Sequence, residues 1–464
     1  MKTLKFSDTL IEPSTFARDD IYRALTLLNK NLDFVQSELY KNSDKISKRN
    51  SSILYYDCTN YYFEIEQEDD FRKYGVCKEH RPNPIVEMGL FMDEDGIPLA
   101  FSMHPGNTNE QTTLTPLEET IEKKFNHSKF VVCTDAGLSS KSNRLFNSAN
   151  DKAYVTAQSV KLLGKDMQQW ALDPSEWKIL GSDEDTLFNI SKIEENEYLD
   201  TNGKSVYYDT TFYKVKKRVD EVEIEGKDGK KEKAYIDEKI IITFSLKYRD
   251  YLRCIRQGQV ERAKKLIKEN TNKNGIVKKG KKYRQTDFHR FIESTNINLD
   301  TGEVFENSVY TLKQDLIEQE EIFDGYYGVA SNLEESPETI VGINRKRWQI
   351  EQCFRIMKTN FDARPVYLSR EDRINAHFLI CFLALVVYRY LERKLSTPEK
   401  KYTTEEIISQ LKEMNFLVSS GKGYIPTYTR NDFTDRLHQV FGFRTDFEII
   451  PIKNMKKIAQ KTKK

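Results

Sequence analysis

Apolar and polar residues in the first third of the chain follow the pattern of an α/β domain. Residues 15–50 have apolar residues at helical spacing, which predicts a helical N-terminal segment. Residues 53–65 are rich in tyrosine and phenylalanine and predict a strand, and residues 85–106 predict two strands joined by the turn sequence DEDG. A helix is predicted over 113–125 and a buried strand over 129–137. This order predicts a mixed sheet with flanking helices.

The pattern changes between about residues 150 and 330, where short strand signals are joined by polar and charged connections. The sequence GKDGKK (226–231) predicts a hairpin turn between two of these strands. Helical periodicity returns near Ser336 and continues through a helix predicted over 371–394. The longest apolar run in that helix, FLICFLALVVY, is too short to span a bilayer and predicts a buried helix.

Composition narrows the class of protein. A chain of 464 residues has room for two or three domains, and 38% hydrophobic with 31% charged residues is typical of a soluble globular protein. Its first residues lack the long apolar stretch of a signal peptide. The six cysteines are scattered without a CxxC pair, which argues against a zinc site and for a reducing compartment. We therefore predict a cytoplasmic protein.

The net charge of +1 gives no global signal for nucleic acid, but the charges are distributed unevenly along the chain. Basic residues outnumber acidic ones over 262–290, most densely in KKGKKYR (278–284), and the last 13 residues contain no acid. Such local basic surfaces are compatible with binding phosphate groups. The alternative is a solvated helix or tail.

Two aspartates stand where strands do not favour them. Asp57 lies within the aromatic strand, and Asp135 follows an apolar strand and precedes Gly137. Ligands bind at the carboxyl ends of strands in open α/β sheets, so the two carboxylates could lie close together. They would then repel unless a cation lay between them, and oxygen ligands suit Mg²⁺ or Mn²⁺. The alternative for Asp57 is a strand-end residue with local hydrogen bonds.

A third acid lies in the predicted helix RKRWQIEQCFRIMK (345–358). At about 100° per residue, Arg347, Glu351, Arg355 and Lys358 share an arc of roughly 80°. Ordinary ion pairs along a solvated helix would explain the stripe, at a few tenths of a kcal/mol each. Two strand carboxylates and a helical glutamate among basic residues also form the arrangement that two-metal phosphoryl transfer uses.

The loop RKYGVCKEHRP (72–82) carries further basic residues. Lys73, Lys78 and Arg81 precede a predicted strand in this loop. They would either contact phosphates near the acids or lie on a solvated loop.

Four stretches carry a family resemblance that covers about residues 15–395. They are YYDCTNYYFE, RKYGVCKEHRPNPIVEMGLFMDEDGIPLAFSMHPGNTNEQTTL, VVCTDAGLSS and KRWQIEQCFRIMKT. The sequence resembles the DDE transposases of bacterial insertion sequences, in the group whose ribonuclease-H-like core carries a β-strand insertion. The resemblance implies that Asp57, Asp135 and Glu351 are the catalytic, metal-binding acids.

The last stretch also matches a family signature of tyrosine, arginine, glutamate and lysine. Its arginine, glutamate and lysine fall on Arg347, Glu351 and Lys358, whereas the tyrosine position is occupied by Asn344. From the motif and the local basic runs we predict a set of DNA contacts. They are Arg347, Arg355, Lys358, Lys73, Lys78, Arg81, Lys278, Lys279, Lys281 and Lys282.

The implied fold is a ribonuclease-H-like α/β mixed sheet flanked by helices, with a large strand-rich insertion between the second aspartate and the catalytic glutamate. Five segments are predicted. Residues 1–50 form an N-terminal helical segment that is a candidate reduced DNA-end-binding module. Residues 51–150 and 331–395 are the two parts of the core, the second with the glutamate helix, and they enclose the insertion at 151–330. Residues 396–464 form a C-terminal helical region with a basic tail.

The implied activity is binding of an insertion sequence's terminal inverted repeats, followed by metal-dependent strand cleavage and strand transfer by in-line phosphoryl transfer. The implied cofactor is Mg²⁺ or Mn²⁺, as two ions. The expected partners are double-stranded DNA of the terminal repeats and of the target, and a second copy of the chain on that DNA, with no membrane. The expected location is the bacterial cytoplasm, at the nucleoid when bound to DNA. The alternatives are a catalytically decayed or repurposed DNA-binding protein and a metal-dependent nuclease.

Overall fold

The computed structural model describes residues 16–149, 152–225, 231–269, 283–297 and 304–461. The predicted DNA contacts Lys278, Lys279, Lys281 and Lys282 lie outside these residues, as do residues 226–230 of the predicted hairpin turn. The chain divides into two compact units. The first unit comprises Met1–Lys152 with Lys346–Lys464, and the second comprises Ala153–Arg345.

Both units contain strands and helices. The strands are β1 (Ile53–Tyr62), β2 (Ile85–Asp93), β3 (Pro98–Pro105), β4 (Val131–Thr134), β5 (Ala153–Gln158), β6 (Lys178–Ile179), β7 (Phe212–Glu225), β8 (Lys231–Phe244), β9 (Ile292–Ile297), β10 (Val304–Leu312), β11 (Tyr326–Ser331), β12 (Phe416–Ser419) and β13 (Gly423–Pro426). The helices are α1 (Arg18–Lys30), α2 (Leu32–Ile46), α3 (Leu114–Thr120), α4 (Lys141–Phe146), α5 (Lys165–Leu172), α6 (Leu246–Glu269), α7 (Gln314–Glu321), α8 (Pro337–Arg345), α9 (Trp348–Arg355), α10 (Glu371–Leu395), α11 (Thr404–Glu413), α12 (Asp432–Phe441) and α13 (Ile452–Lys461).

The first unit has a mixed sheet in the order β3-β2-β1-β4. β1 pairs antiparallel with β2 and parallel with β4, and β2 pairs antiparallel with β3. An antiparallel meander followed by a parallel strand on the other side of β1 is the strand arrangement of a ribonuclease-H-like core. The predicted fold class, a mixed sheet flanked by helices, is confirmed.

Two predicted helical features of the first unit are refined by the structure. The helical segment predicted over 15–50 forms two helices, α1 and α2, which are separated at Asn31. The predicted buried helix is α10, whose residues Phe378 and Phe382 are fully buried. Among the described helices, α10 has the length and composition of a membrane span. Only 56% of its most apolar window is buried, and core helices of soluble proteins share these properties.

The second unit has a sheet in the order β5-β11-β8-β7-β6, and it lies in the sequence between Asp135 and Glu351. β7 and β8 form a long antiparallel hairpin, as the turn sequence between them predicts. Trp177 is fully buried in the core of this unit and contacts the rings of Phe244 and Tyr326. The residues predicted as a strand-rich insertion therefore form paired strands and a hydrophobic core of their own.

Candidate active site

The register of the first sheet places the two aspartates on neighbouring strands. Ile53 of β1 pairs with Val131 of β4, and Tyr55 pairs with Cys133. Asp57 and Asp135 each lie two residues further along the chain, so they are at equivalent positions on the same face. Neighbouring strands are about 4.8 Å apart, which brings the two carboxylates close together at one end of the parallel pair.

The charge of Asp57 is unfavourable in this environment. Burial raises the pKa of Asp57 to about 6, and the negative charge of Asp135 acts in the same direction. Three groups oppose the rise: the ammonium of Lys78, the guanidinium of Arg347, and the backbone N–H of Cys58, which donates to Oδ1 of Asp57 at 2.8 Å. The pair therefore attracts positive charge.

The loop after β4 holds Asp135 in place. Oδ1 of Asp135 accepts a hydrogen bond from the backbone N–H of Leu138 at 2.9 Å. The carbonyl of Leu138 accepts in turn from Nδ2 of Asn143, which is buried at the start of α4. The sharp turn that the sequence predicts at Gly137 therefore orients the carboxylate.

Glu351 lies on helix α9, whereas the two aspartates lie on or directly after strands of the sheet. Residues Ile350, Cys353 and Phe354 of α9 are buried in the first unit. Arg389 on α10 fastens α9 to the turn between β2 and β3, because its Nε donates to the carbonyl of Gly96 at 2.7 Å and its Nη1 to Oε1 of Gln352 at 3.3 Å. The position of α9 is thus set by long-range contacts.

Glu351 is the most exposed of the three acids. Its side chain is 62% exposed, and its Oε1 lies 3.9 Å from Nη1 of Arg347. The same guanidinium acts on Asp57, and it also opposes the burial that raises the pKa of Cys133 to about 12. Arg347 therefore acts on both Glu351 and Asp57.

The predicted cage of three acids is not assembled. Within the described residues, no three histidine, cysteine, aspartate or glutamate side chains come together closely enough to hold one metal ion. The structure brings Asp57 and Asp135 together on neighbouring strands, and Glu351 lies beside Arg347.

Lys358 departs from the predicted stripe. The helix continues past α9 as a π-helical turn over Ile356–Asn360, whose wider turn changes the angular spacing of its residues. The side chain of Lys358 is therefore only 13% exposed, with its ammonium 3.4 Å from Oε1 of Glu79 and 5.1 Å from the centre of the Tyr61 ring. Burial lowers its pKa. Arg355, by contrast, is exposed as predicted.

The loop over 72–82 places its three predicted DNA contacts differently. Lys73 lies 3.6 Å from Glu68, and Arg81 is exposed over the ring of Tyr62 at 4.9 Å. Lys78 turns toward the acids: its Nζ lies 3.0 Å from Oε1 of Glu110. Of the three, Arg81 is the one best placed for a phosphate outside the acidic pocket.

Glu110 is a site residue that the sequence pattern did not reveal. It begins a short 3-10 turn, Glu110–Thr112, whose Gln111 donates through Nε2 to the carbonyl of Gly137 at 2.8 Å. The turn is therefore bonded to the loop that carries Asp135. The only signal in the sequence was an acid within the turn sequence GNTNEQTT, and a structural role is the more common reason for such a sequence.

The donor set of the strand pair fits a hard divalent cation. Asp57 and Asp135 offer carboxylate oxygens, which Mg²⁺ and Mn²⁺ prefer, and the pKa of Asp57 is raised first by burial and then by the negative charge of Asp135. The adjacent Arg347 has a buried Nε without a hydrogen-bond partner among the described residues. The pair therefore fits a metal ion, whereas Glu351 as placed does not contribute to it.

Comparison with known proteins supports the resemblance seen in the sequence. No curated protein matches the chain. Among solved structures, the piggyBac transposase synaptic complex with hairpin DNA aligns with a TM-score of 0.36 at 6% identity, over 79% of this chain and 52% of that one. The Mos1 transposase paired-end complex with left transposon end aligns with a TM-score of 0.15 at 13% identity, over 31% and 45%. Both TM-scores are too low to establish a shared fold, and the chain spans about half the length of each.

A family model matches less than half of the chain. Residues 190–387 match the model described as a transposase DDE domain, a range that includes Glu351 but neither Asp57 nor Asp135. Asp57 and Asp135 are assigned from the motifs of the sequence, and the register of the sheet places them on neighbouring strands. Over the matched residues the chain is similar to the DDE transposases, as its motifs predict.

Proposed function

We propose that the protein binds the terminal inverted repeats of its insertion sequence, cleaves at the transposon ends and transfers them to target DNA. The observation that carries this proposal is the pairing of Asp57 with Asp135 by strand register, next to Arg347 and Glu351, in a chain that matches a transposase DDE domain over residues 190–387. Paired carboxylates beside cations serve phosphoryl transfer, because the acids attract metal ions and the cations attract phosphate.

Asp57 and Asp135 would hold the divalent cation, Mg²⁺ or Mn²⁺. When bound, the metal supplies activation of a water or a 3′-hydroxyl and stabilisation of the leaving oxygen, and two ions are proposed. Arg347 orients Glu351 in the free protein. On DNA, a phosphate competes with Glu351 for the guanidinium of Arg347, so that Glu351 can turn toward the strand pair and complete the three acids.

The proposed partners are double-stranded DNA and a second copy of the chain, since pairing of two transposon ends uses two protomers. Arg355 and Arg81 are the best-placed phosphate contacts: both are exposed, and within the described residues neither has an ion-pair partner. Lys358 and Lys73 would have to leave Glu79 and Glu68 to reach DNA. A cytoplasmic location, and the absence of a membrane partner, belong to the same proposal.

The test is incubation of the purified protein with DNA ends taken from the flanking genomic sequence, with Mg²⁺. We expect nicking at the 3′ ends and joined products with a target plasmid. Asp57→Asn should abolish both, and Glu119→Gln, which removes an exposed acid of α3 paired with Lys123, should leave both unchanged. Nicking without joining would indicate a metal-dependent nuclease. Specific binding without either reaction would indicate a decayed or repurposed DNA-binding protein.

A further inference from the structure

Lys78 lies within the acidic site. Its Nζ donates a hydrogen bond to the carbonyl of Cys58 at 2.5 Å, one residue after Asp57 in β1. The same nitrogen lies 3.0 Å from Oε1 of Glu110. The side chain is 41% exposed, so the ammonium lies at the mouth of the site, where solvent and ions enter.

The backbone that carries Lys78 is fixed to the sheet. Its N–H donates to Oδ1 of Asn60 at 3.1 Å, and Nδ2 of Asn60 donates to the carbonyl of Val76 at 3.0 Å and to Oε1 of Glu87 at 3.2 Å. Asn60 and Glu87 are both buried on adjacent strands, β1 and β2. The ammonium can therefore move only by rotation of its own side chain.

Glu110 is fixed from the opposite side. The neighbouring Gln111 donates to the carbonyl of Gly137, and its own carbonyl accepts from Nδ2 of Asn143 at 2.9 Å. Asn143 also orients the loop of Asp135 through Leu138. The two acids that flank Lys78 thus belong to elements that are each bonded to the framework of the site.

A single positive charge between two fixed acids stabilises both. The charges of Asp57 and Glu110 raise the pKa of Lys78 despite partial burial, and Lys78 in turn opposes the rise in the pKa of Asp57. A divalent cation at Asp57 would repel the ammonium of Lys78, which is bonded to the carbonyl of the next residue, Cys58. Glu110 offers the ammonium a second partner that lies away from β1.

We propose that Lys78 is the internal counter-ion of Asp57, that it is shared with Glu110, and that it competes with the divalent cation for the strand pair. When the cation binds, Lys78 keeps its contact with Glu110 and gives up its influence on Asp57. The inference rests on the proposed function, because it requires a metal site at Asp57 and Asp135.

The test measures Mn²⁺ binding to the full chain without DNA, from the free Mn²⁺ signal in electron paramagnetic resonance. Lys78→Gln should tighten binding by about tenfold or more, because a repelling charge has been removed. Lys78→Arg, which keeps the charge, should stay within about threefold of wild type. Lys123→Gln, the same change at an exposed position in the helical turn Ile121–Phe125, should leave the affinity unchanged. Equal affinity of Lys78→Gln and wild type would overturn the proposal.

A double-mutant cycle tests the role of Glu110. Glu110→Gln alone should weaken Mn²⁺ binding, because Lys78 then stays with Asp57. In the Lys78→Gln background the same change should have little effect. A full effect in that background would make Glu110 a direct ligand and overturn its role as the holder of Lys78.

The two proposals fail separately. If wild type binds Mn²⁺ and Lys78→Gln binds it equally, the counter-ion role fails and the metal site stands. If neither wild type nor Lys78→Gln binds Mn²⁺, the metal site itself fails and the counter-ion role fails with it. Circular dichroism of each variant establishes that the fold is retained.

Discussion

The strand acids and the helix acid of the site are held by different means. Asp57 and Asp135 are placed by a parallel ladder of backbone hydrogen bonds, and burial with mutual repulsion raises the pKa of Asp57 to about 6. Glu351 is placed by a helix whose anchorage depends on side chains, and it is 62% exposed beside Arg347. The sheet thus supplies a fixed pair with unbalanced charge, and the helix supplies an acid whose alignment can depend on what binds.

The largest expected effect is on the strand pair. Asp57→Asn or Asp135→Asn should lower cleavage of transposon-end DNA by about a thousandfold or more, because the amide removes an anionic metal ligand. The same variants should lose Mn²⁺ binding without DNA and retain DNA binding in a gel-shift measurement. Retention of Mn²⁺ binding by both variants would contradict the assignment of the pair.

The Glu351→Gln variant should distinguish the role of the helix acid from that of the two strand acids. We expect cleavage to fall by about a hundredfold or more, since the third acid is missing when DNA is bound. Mn²⁺ binding without DNA should not change, because Glu351 lies apart from the strand pair in the free protein. The free energy of unfolding should change by well under about 1 kcal/mol, as for an exposed ion pair. An intact cleavage rate would remove Glu351 from the site.

The anchorage of α9 is tested at Gly96. This glycine has a φ of +77°, and a Cβ there would meet Oε1 of Gln349 and Nη2 of Arg389. Gly96→Ala should destabilise the fold by about 1–3 kcal/mol and lower cleavage, because it displaces α9, while Mn²⁺ binding by the strand pair persists.

The control is Gly203→Ala, which has a similar φ of +73° and no atom within 4 Å of the added Cβ. The Gly203→Ala variant introduces the backbone strain of a positive φ without a steric contact, so it should leave cleavage unchanged. Equal loss of cleavage in both variants would show that strain and not the contact with α9 is responsible.

The last effect is on stability alone and concerns Glu87, a buried strand carboxyl outside the acidic pair. Burial raises its pKa from an ordinary 4.5 to about 8. A raised pKa in the folded state favours folding below pH 4.5, and this contribution is lost as pH rises from 4.5 through 8. Glu87→Gln should therefore become more stable relative to wild type between pH 5 and pH 9, by about 1–3 kcal/mol. Urea unfolding at the two pH values measures this, and no change in the difference would show that Glu87 does not titrate there.

The sequence by itself determined the elements that carry the site. Aromatic and apolar runs predicted β1 to β4, and the position of each aspartate at a strand or strand end followed from the same runs. Helical periodicity predicted that Glu351 and Arg355 are exposed, while Ile350, Cys353 and Phe354 are buried. These features are local, since they depend on the alternation of side chains along one strand or around one helix.

Only the tertiary structure decided which charges meet. The pairing of Lys78 with Glu110 joins residues 32 positions apart, and no local pattern specifies it. The inward turn of Lys358 depends on a π-helical turn, which disrupts the constant angle per residue that a helical arc assumes. The influence of Arg347 on both Glu351 and Asp57 depends on how α9 packs against β1. Packing and the balance of buried charge settle these contacts, and both are properties of the assembled fold.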